Sequence, residues 1–226
     1  MMGLARLYAE GYAMSPYVVE LAALMAVFSV VIVVPGADLA LVMRQSITHG
    51  RRAAILTSLG LGASLLFHVS YTILGIGLIV SQSIIAFNIV KWCGAAYLIY
   101  LGYRSLKDAN QPIAPVKNGA EVGLPISDLK AFAMGFVTNA LNPKAVVFFL
   151  SLFSSLISLQ TPVMVKAGYG LVMASSLVLW FIGVSLFFTI PAVRDGFLRA
   201  GRWIMRVTGL VFIGLGLKLA TEKMHG

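Results

Sequence analysis

Long apolar stretches constrain this chain more than any other feature of its sequence. They reach about 20 residues or more, which lets a helix cross a hydrocarbon core of about 30 Å. Hydrophobic residues make up 59% of the chain and charged residues only 11%, whereas soluble domains carry about 25% charged residues. The sequence therefore predicts an all-α, multi-spanning integral membrane protein that forms a single transmembrane domain.

Six apolar spans follow one another along the chain. We expect them at residues 17–44, 53–80, 84–106, 129–156, 162–192 and 203–220. The connection 107–128 is polar and contains three prolines, which is typical of a flexible loop. The predicted organisation is an N-terminal extension (1–16), a first half (17–106), a cytoplasmic loop (107–128) and a second half (129–221).

The positive charge of the chain carries information about its topology. The formal net charge is +9, and Lys and Arg cluster in alternate connections. Arg51 and Arg52 lie after the first span, Arg104 and Lys107 at the end of the third, and Arg202 after the fifth. Because cytoplasmic loops are enriched in Lys and Arg, we place these connections in the cytoplasm and both termini outside. Nucleic acid is not an expected partner.

Two of the spans contain helix breakers. Pro35-Gly36 interrupts the first span, and Asn142-Pro143 interrupts the fourth. Proline removes a backbone donor, and glycine adds freedom and permits close approach of another backbone. Because each half has three spans, the two halves must enter the membrane from opposite sides. We therefore predict six transmembrane helices arranged as two inverted three-helix repeats, with broken helices one and four.

Each break is followed by a charged residue, and both residues have two interpretations. Asp38 can cap the helix that restarts after Gly36, or it can bind a proton or a substrate amine, since intramembrane carboxylates are costly. Lys144 lies too deep to reach the cytoplasmic surface easily. It can pair with Asp38 and lock the broken helices together, or it can hold a substrate carboxylate. A pair that opens during transport would serve both purposes.

Three further polar residues accompany the breaks. Asn139 and Asn142 can satisfy backbone groups that Pro143 leaves free. His68 is either a structural residue or a proton relay, because its imidazole titrates near neutral pH. No second ligand shares its face, so a metal site is not expected, and no cofactor is predicted. The candidate substrate-binding or coupling residues are Pro35, Gly36, Asp38, His68, Asn139, Asn142, Pro143 and Lys144.

Small residues recur on several spans. We expect them to permit close helix contact rather than binding. They are Gly60, Gly62, Ala63, Gly75, Gly77, Gly209, Gly214 and Gly216.

Several motifs together resemble the RhtB/LysE family of amino-acid exporters, over about residues 14–219. They are Pro35-Gly36-Ala37-Asp38, Arg44-Gln45-Ser46, Gly50-Arg51-Arg52-Ala53, Gly60 with His68, and Thr138-Asn139-Ala140-Leu141-Asn142-Pro143-Lys144 with Phe148-Phe149. The threonine and homoserine exporters are the most similar members. The chain departs from the family at Ala37, where a second proline is usual, which leaves the local geometry of the first break open.

The resemblance implies a secondary exporter of small neutral amino acids in a bacterial inner membrane, coupled to protons, and not an enzyme. Substrate would bind between spans one and four, with helix N-termini facing its carboxylate and either Asp38 or exposed backbone carbonyls facing its ammonium. Alternatives are an exporter of another small solute or cation, and a channel. The expected partners are an amino acid, protons and the lipid bilayer, and homo-oligomerisation stays open.

Overall fold

The computed structural model describes residues 15–82, 84–109, 126–187 and 190–221, and its regular elements in these ranges are all α-helices. The predicted N-terminal extension and most of the 107–128 connection lie outside these residues. The helices are α1 (Pro16–Ile32), α2 (Ala37–Gln82), α3 (Ile84–Asp108), α4 (Asp128–Ala140), α5 (Pro143–Leu156), α6 (Val163–Phe187) and α7 (Pro191–Thr221).

Length and apolarity identify the membrane-crossing elements. Within the described residues, Ala37–Gly75, Val163–Phe187 and Arg199–Thr221 are each long and apolar enough to cross a bilayer. The pair α4 and α5, bent by 63°, makes a fourth if it counts as one span. The chain is therefore a multi-pass, all-α membrane protein, as predicted. The count of six spans and their inverted repeat stay predictions, because α1 has only 17 residues and α3 carries several charged residues.

Both predicted breaks are present in the backbone. Helix α1 ends at Ile32 and α2 begins at Ala37, so residues 33–36 separate them. Helix α4 ends at Ala140 and α5 begins at Pro143. Each proline stands where the missing backbone donor does least harm, between helices or in a first turn.

The predicted connection between spans one and two coincides with a break at Gly50. Two helical segments of α2 meet there at a kink, because Gly50 itself has non-helical angles, with φ 84° and ψ 175°. Only glycine adopts this conformation without strain. The predicted fifth span, 162–192, extends past Phe187, where α6 ends, and into α7, which begins at Pro191.

Glycines bring two pairs of helices into backbone contact. A Cβ on Gly60 would lie 2.1 Å from the carbonyl oxygen of Phe132, and one on Gly135 would lie 2.0 Å from that of Thr57. Helices α2 and α4 therefore touch directly at these glycines. Gly209 does the same for α7 against α3, at Gly102. This confirms close contact for Gly60 and Gly209, but a Cβ on Gly75 or Gly214 would meet nothing within 4 Å.

The α2–α4 contact has polar support at its edge. Thr57 donates from its hydroxyl to the carbonyl of Ala131 at 3.0 Å. Arg52 donates through two nitrogens to the two carboxylate oxygens of Asp128. Since both of these charged side chains are exposed, the pair adds little stability. The pair joins α2, just after Gly50, to the start of α4.

Candidate functional site

The first break exposes a carboxylate at the start of α2. Val33 closes α1, and the backbone N–H of Val34 donates to the carbonyl of Val31 at 3.2 Å. Asp38 then lies in the first turn of α2, where the helix dipole favours a negative charge. A Cβ on Gly36 would come no closer than 3.8 Å to Val34. The close backbone approach that we expected at Gly36 is therefore not found.

At the second break, a residue of the break itself accepts hydrogen bonds from the first backbone N–H groups of α5. Asn142 is extended and caps α5, because its side-chain oxygen accepts from the backbone N–H of Lys144 at 3.0 Å. Its carbonyl also accepts from the N–H of Ala145 at 3.0 Å. Pro143 occupies the first turn, where its missing donor is not needed. Asn142 therefore pairs one of the free backbone N–H groups at the start of α5.

Asn139 joins the two breaks. Its side-chain nitrogen donates to Oδ2 of Asp38 at 2.8 Å. Its side-chain oxygen accepts from the Ser64 hydroxyl at 3.0 Å and contacts Nε2 of His68 at 3.1 Å. Asn139 is only 6% exposed, so each of its amide hydrogen bonds replaces one that water would make. The amide therefore holds the last turn of α4 against the first turn of α2.

His68 lies behind Asn139 and is completely buried. Its Nε2 is 3.1 Å from both oxygens of Asn139, and its Nδ1 is 2.6 Å from the Tyr71 hydroxyl. Because both oxygens of Asn139 can only accept, Nε2 must carry the hydrogen. A neutral imidazole then accepts from Tyr71 at Nδ1. The ring stacks on Phe149, with ring centroids 5.4 Å apart, and this geometry fixes the orientation of Asn139.

A cavity of about 330 Å³ lies between the two breaks. This volume falls within the range of small-molecule sites. Six helices contribute to it, and α3 is the described helix that does not. The lining residues are Phe28, Val31, Ile32, Val34, Gly36, Ala37, Asp38, Leu39, Leu65, Asn139, Asn142, Lys144, Ala145, Phe148, Phe149, Leu177, Phe181 and Phe212.

Opposite charges face this cavity from the two breaks. Oδ1 of Asp38 is buried and has no hydrogen-bond partner among the described residues. Lys144 lines the same cavity. The ion pairs of the described side chains include Arg52 with Asp128 and Arg104 with Asp108. In the described part of the chain no direct contact joins Asp38 to Lys144, and their pairing stays a prediction.

The predicted residues fall into three groups. Gly36, Asp38, Asn139, Asn142 and Lys144 line the cavity. His68 contacts the cavity wall from behind, through Asn139 and Phe149. Pro35 and Pro143 act through the backbone, at the points where the helices break.

Sequence reasoning missed a second polar cluster, which surrounds Glu20 near the start of α1. Its carboxylate accepts from the backbone N–H of Ser158 at 2.9 Å, from the Thr161 hydroxyl at 2.9 Å and from the Tyr169 hydroxyl at 3.0 Å. Thr161 and Tyr169 are buried. A carboxylate near the start of an apolar helix was the available signal, because such a charge needs partners.

A packed layer separates the Glu20 cluster from the cavity. One turn beyond Glu20 and Tyr169 lie Leu24 and Met173, both fully buried. The next turn brings Phe28 on α1, and Leu177 on α6, into the cavity wall. Since four residues of helix rise about 6 Å, this end of the cavity is closed by one layer of apolar side chains and one layer of hydrogen bonds.

Comparison with known proteins gives one family. The profile of the LysE type translocator matches residues 29–223. An uncharacterized membrane protein of Escherichia coli K12, YahN, is 30% identical over 98% of both chains. The threonine efflux protein of the same organism is 28% identical over 84% of this chain and 91% of its own length.

Another relative covers less of the chain. The homoserine/homoserine lactone efflux protein of Salmonella typhimurium is 33% identical over 57% of this chain and 60% of its own length. No solved structure gives a significant match. The family profile covers most of the sequence, and it names the family that the motifs resemble. The chain therefore belongs to the LysE type translocator family.

Proposed function

We propose that this protein is a secondary exporter of small neutral amino acids. The observation that carries the proposal is the cavity between the two helix breaks, which is lined by a carboxylate from the first break and an ammonium from the second. An amino acid is a zwitterion, so its two charges complement those of the cavity. Relatives named as threonine and homoserine efflux proteins support the substrate class.

The substrate ammonium would bind Oδ1 of Asp38, which has no partner within the described structure. Its carboxylate would bind the Lys144 ammonium. We expected helix N-termini to hold the carboxylate, but Asn142 already caps the N-terminus of α5. That leaves Lys144 as the anion-binding group at the second break. Charge-assisted hydrogen bonds of this kind are about twice as strong as neutral ones.

Proton coupling would act at Asp38 itself. Protonation removes the charge that holds the ammonium, so an entering proton would release substrate and reset the carrier. A charge that crosses the full membrane potential is worth about 2.3 kcal/mol per 100 mV. His68 does not extend this route, because Asn139 stands between His68 and Asp38 and an amide does not titrate. We therefore assign His68 a positioning role.

Alternating access needs two gates. The Glu20 cluster and the layer below it would form one of them, on the side where α1 begins. With the predicted six spans and with cytoplasmic Lys and Arg, that side is the outside of a bacterial inner membrane. Opening would require α1 to leave the connection between α5 and α6. With this gate closed, the carrier would load its substrate from the cytoplasm.

The test is amino-acid transport by purified protein in vesicles. Asp38→Asn should reduce proton-driven efflux by at least a hundredfold, while Asp128→Asn, at an exposed carboxylate, should leave it within about twofold. Normal coupled efflux from Asp38→Asn would remove Asp38 from the coupling role. Flux that shows neither saturation nor counterflow would identify a channel. Exchange of other solutes alone would identify the alternative exporter.

A further inference from the structure

The cavity wall away from the breaks is aromatic. Five phenylalanines line it, contributed by four helices, and all five are no more than 5% exposed. Three ring contacts connect four of them, with centroid distances of 6.5 Å, 5.3 Å and 5.8 Å. In the order of contact, these are Phe28, Phe149, Phe148 and Phe212. The wall is therefore packed before any substrate arrives.

Polar side chains occupy only one side of the cavity. Four of the eighteen lining residues have one, and all four belong to the breaks. Asn139 already bonds Asp38 and Ser64, and the Asn142 oxygen caps α5. The remaining groups, Oδ1 of Asp38 and the Lys144 ammonium, are those that an amino-acid backbone would use. A substrate side chain must therefore point toward the phenylalanines.

We infer that the exporter prefers amino acids with apolar side chains, such as valine and leucine, over the hydroxylated threonine and homoserine. This inference rests on the proposed function and names its substrate class. It differs from the expectation that the sequence resemblance gave. A hydroxyl placed against the aromatic wall loses its hydrogen bonds to water and gains none. An apolar side chain gains from the same burial.

Valine and threonine make the sharpest comparison, because they have nearly the same shape. Apolar protein pockets discriminate between these two side chains by about a hundredfold at best. We expect valine to inhibit substrate exchange at a concentration at least tenfold lower than threonine does. Leucine should bind better than valine, because each additional buried CH₂ contributes about a fourfold gain in affinity.

The experiment is counterflow in vesicles that contain purified protein, with labelled leucine and a panel of unlabelled competitors. A valine advantage of tenfold or more supports the inference. Threonine that competes as well as valine, or better, overturns it while leaving amino-acid export intact. If no amino acid exchanges at all, the proposed function itself fails. The two failures are thereby distinguished.

One variant pair tests whether the wall sets the preference. Val31 lines the cavity on α1, whereas Val27, one turn earlier on the same helix, does not. Val31→Thr adds a hydroxyl to the wall without changing its shape, and should reduce the valine advantage over threonine by about threefold or more. Val27→Thr should leave the ratio at the wild-type value. Equal ratios in both variants would overturn the assignment of preference to this wall.

Discussion

The two helix breaks are held very differently. The second break lies beside a helix that is in backbone contact with α2, and its own asparagine caps the helix that follows. The first break follows α1, which buries only Leu24 and Phe28 within the bundle. Its carboxylate retains one oxygen without a described partner. The second break is therefore held by its neighbours. The first break follows a helix with few buried residues, and it presents a carboxylate oxygen that has no described partner.

From this difference we expect α1 to change its position while α4 keeps Asn139 and the start of α5 in place. The bridge from Asn139 to Asp38 holds the start of α2, next to the first break, against α4. Hinge-type closure commonly rotates one lightly held element against a packed body. We therefore expect substitutions in the bridge to impair the protein most. Substitutions that weaken the α2–α4 contact, or the contacts of α1, should have smaller effects.

Removal of the bridge between Asn139 and Asp38 should impair transport and stability most. Asn139→Leu leaves the Asp38 carboxylate and the Ser64 hydroxyl without their buried amide partner, at a cost of about 1–3 kcal/mol per group. We expect transport to fall by at least a hundredfold and the thermal unfolding temperature in detergent to drop by several degrees. Ser70→Ala serves as a control, since the exposed Ser70 hydroxyl bonds the carbonyl of Leu66 on its own helix. Wild-type transport by Asn139→Leu would show that the bridge is dispensable.

Separation of α4 from α2 should have the next largest effect, and this effect is on stability. A Cβ at Gly135 would lie 2.0 Å from the carbonyl oxygen of Thr57, so Gly135→Ala must push α4 away from α2. Overpacking of this kind costs about 1–3 kcal/mol, and thermal unfolding in detergent measures the loss. Gly75→Ala is the matched control, because its Cβ would meet nothing within 4 Å. Equal stability of the two variants would contradict the described contact.

Loss of the hydrogen bonds that hold the start of α1 should have the smallest effect, and this effect is on access to the cavity. Glu20→Ala removes the acceptor of three hydrogen bonds, so the closed gate should open more often. A cysteine placed at Leu177 in a Cys93→Ser background should then react several-fold faster with an impermeant thiol reagent from the side where α1 begins. Glu20→Gln keeps one acceptor oxygen and should react at close to the wild-type rate. Unchanged labelling in Glu20→Ala would exclude Glu20 from the gate.

The sequence predicted the breaks and most of the cavity's polar residues for a clear physical reason. Proline, glycine and charge are so costly inside apolar helices that their presence at Pro35, Asp38 and Lys144 indicates a purpose. The partners of these residues were less accessible. Asn139 is separated from Ser64 and His68 by about 70 residues or more in the sequence. No local sequence pattern predicts hydrogen bonds between residues that far apart.

The contact at Asp38 could not be predicted from the sequence. Asp38 and Lys144 were considered a possible pair because opposite charges inside a membrane usually pair, and that pairing stays a prediction. The structure places the Asn139 amide against one oxygen of the carboxylate, and this contact depends on how α4 packs against α2.

Competition by analogues that lack one charge tests the central claim, that Asp38 and Lys144 receive the two ends of a zwitterion. Counterflow of labelled leucine should be inhibited by leucine, and at least tenfold more weakly by leucinamide and by N-acetylleucine. In Lys144→Gln, leucine should lose most of its advantage over leucinamide, and its advantage over N-acetylleucine should persist. Equal inhibition by all three compounds in the wild-type protein would contradict the account.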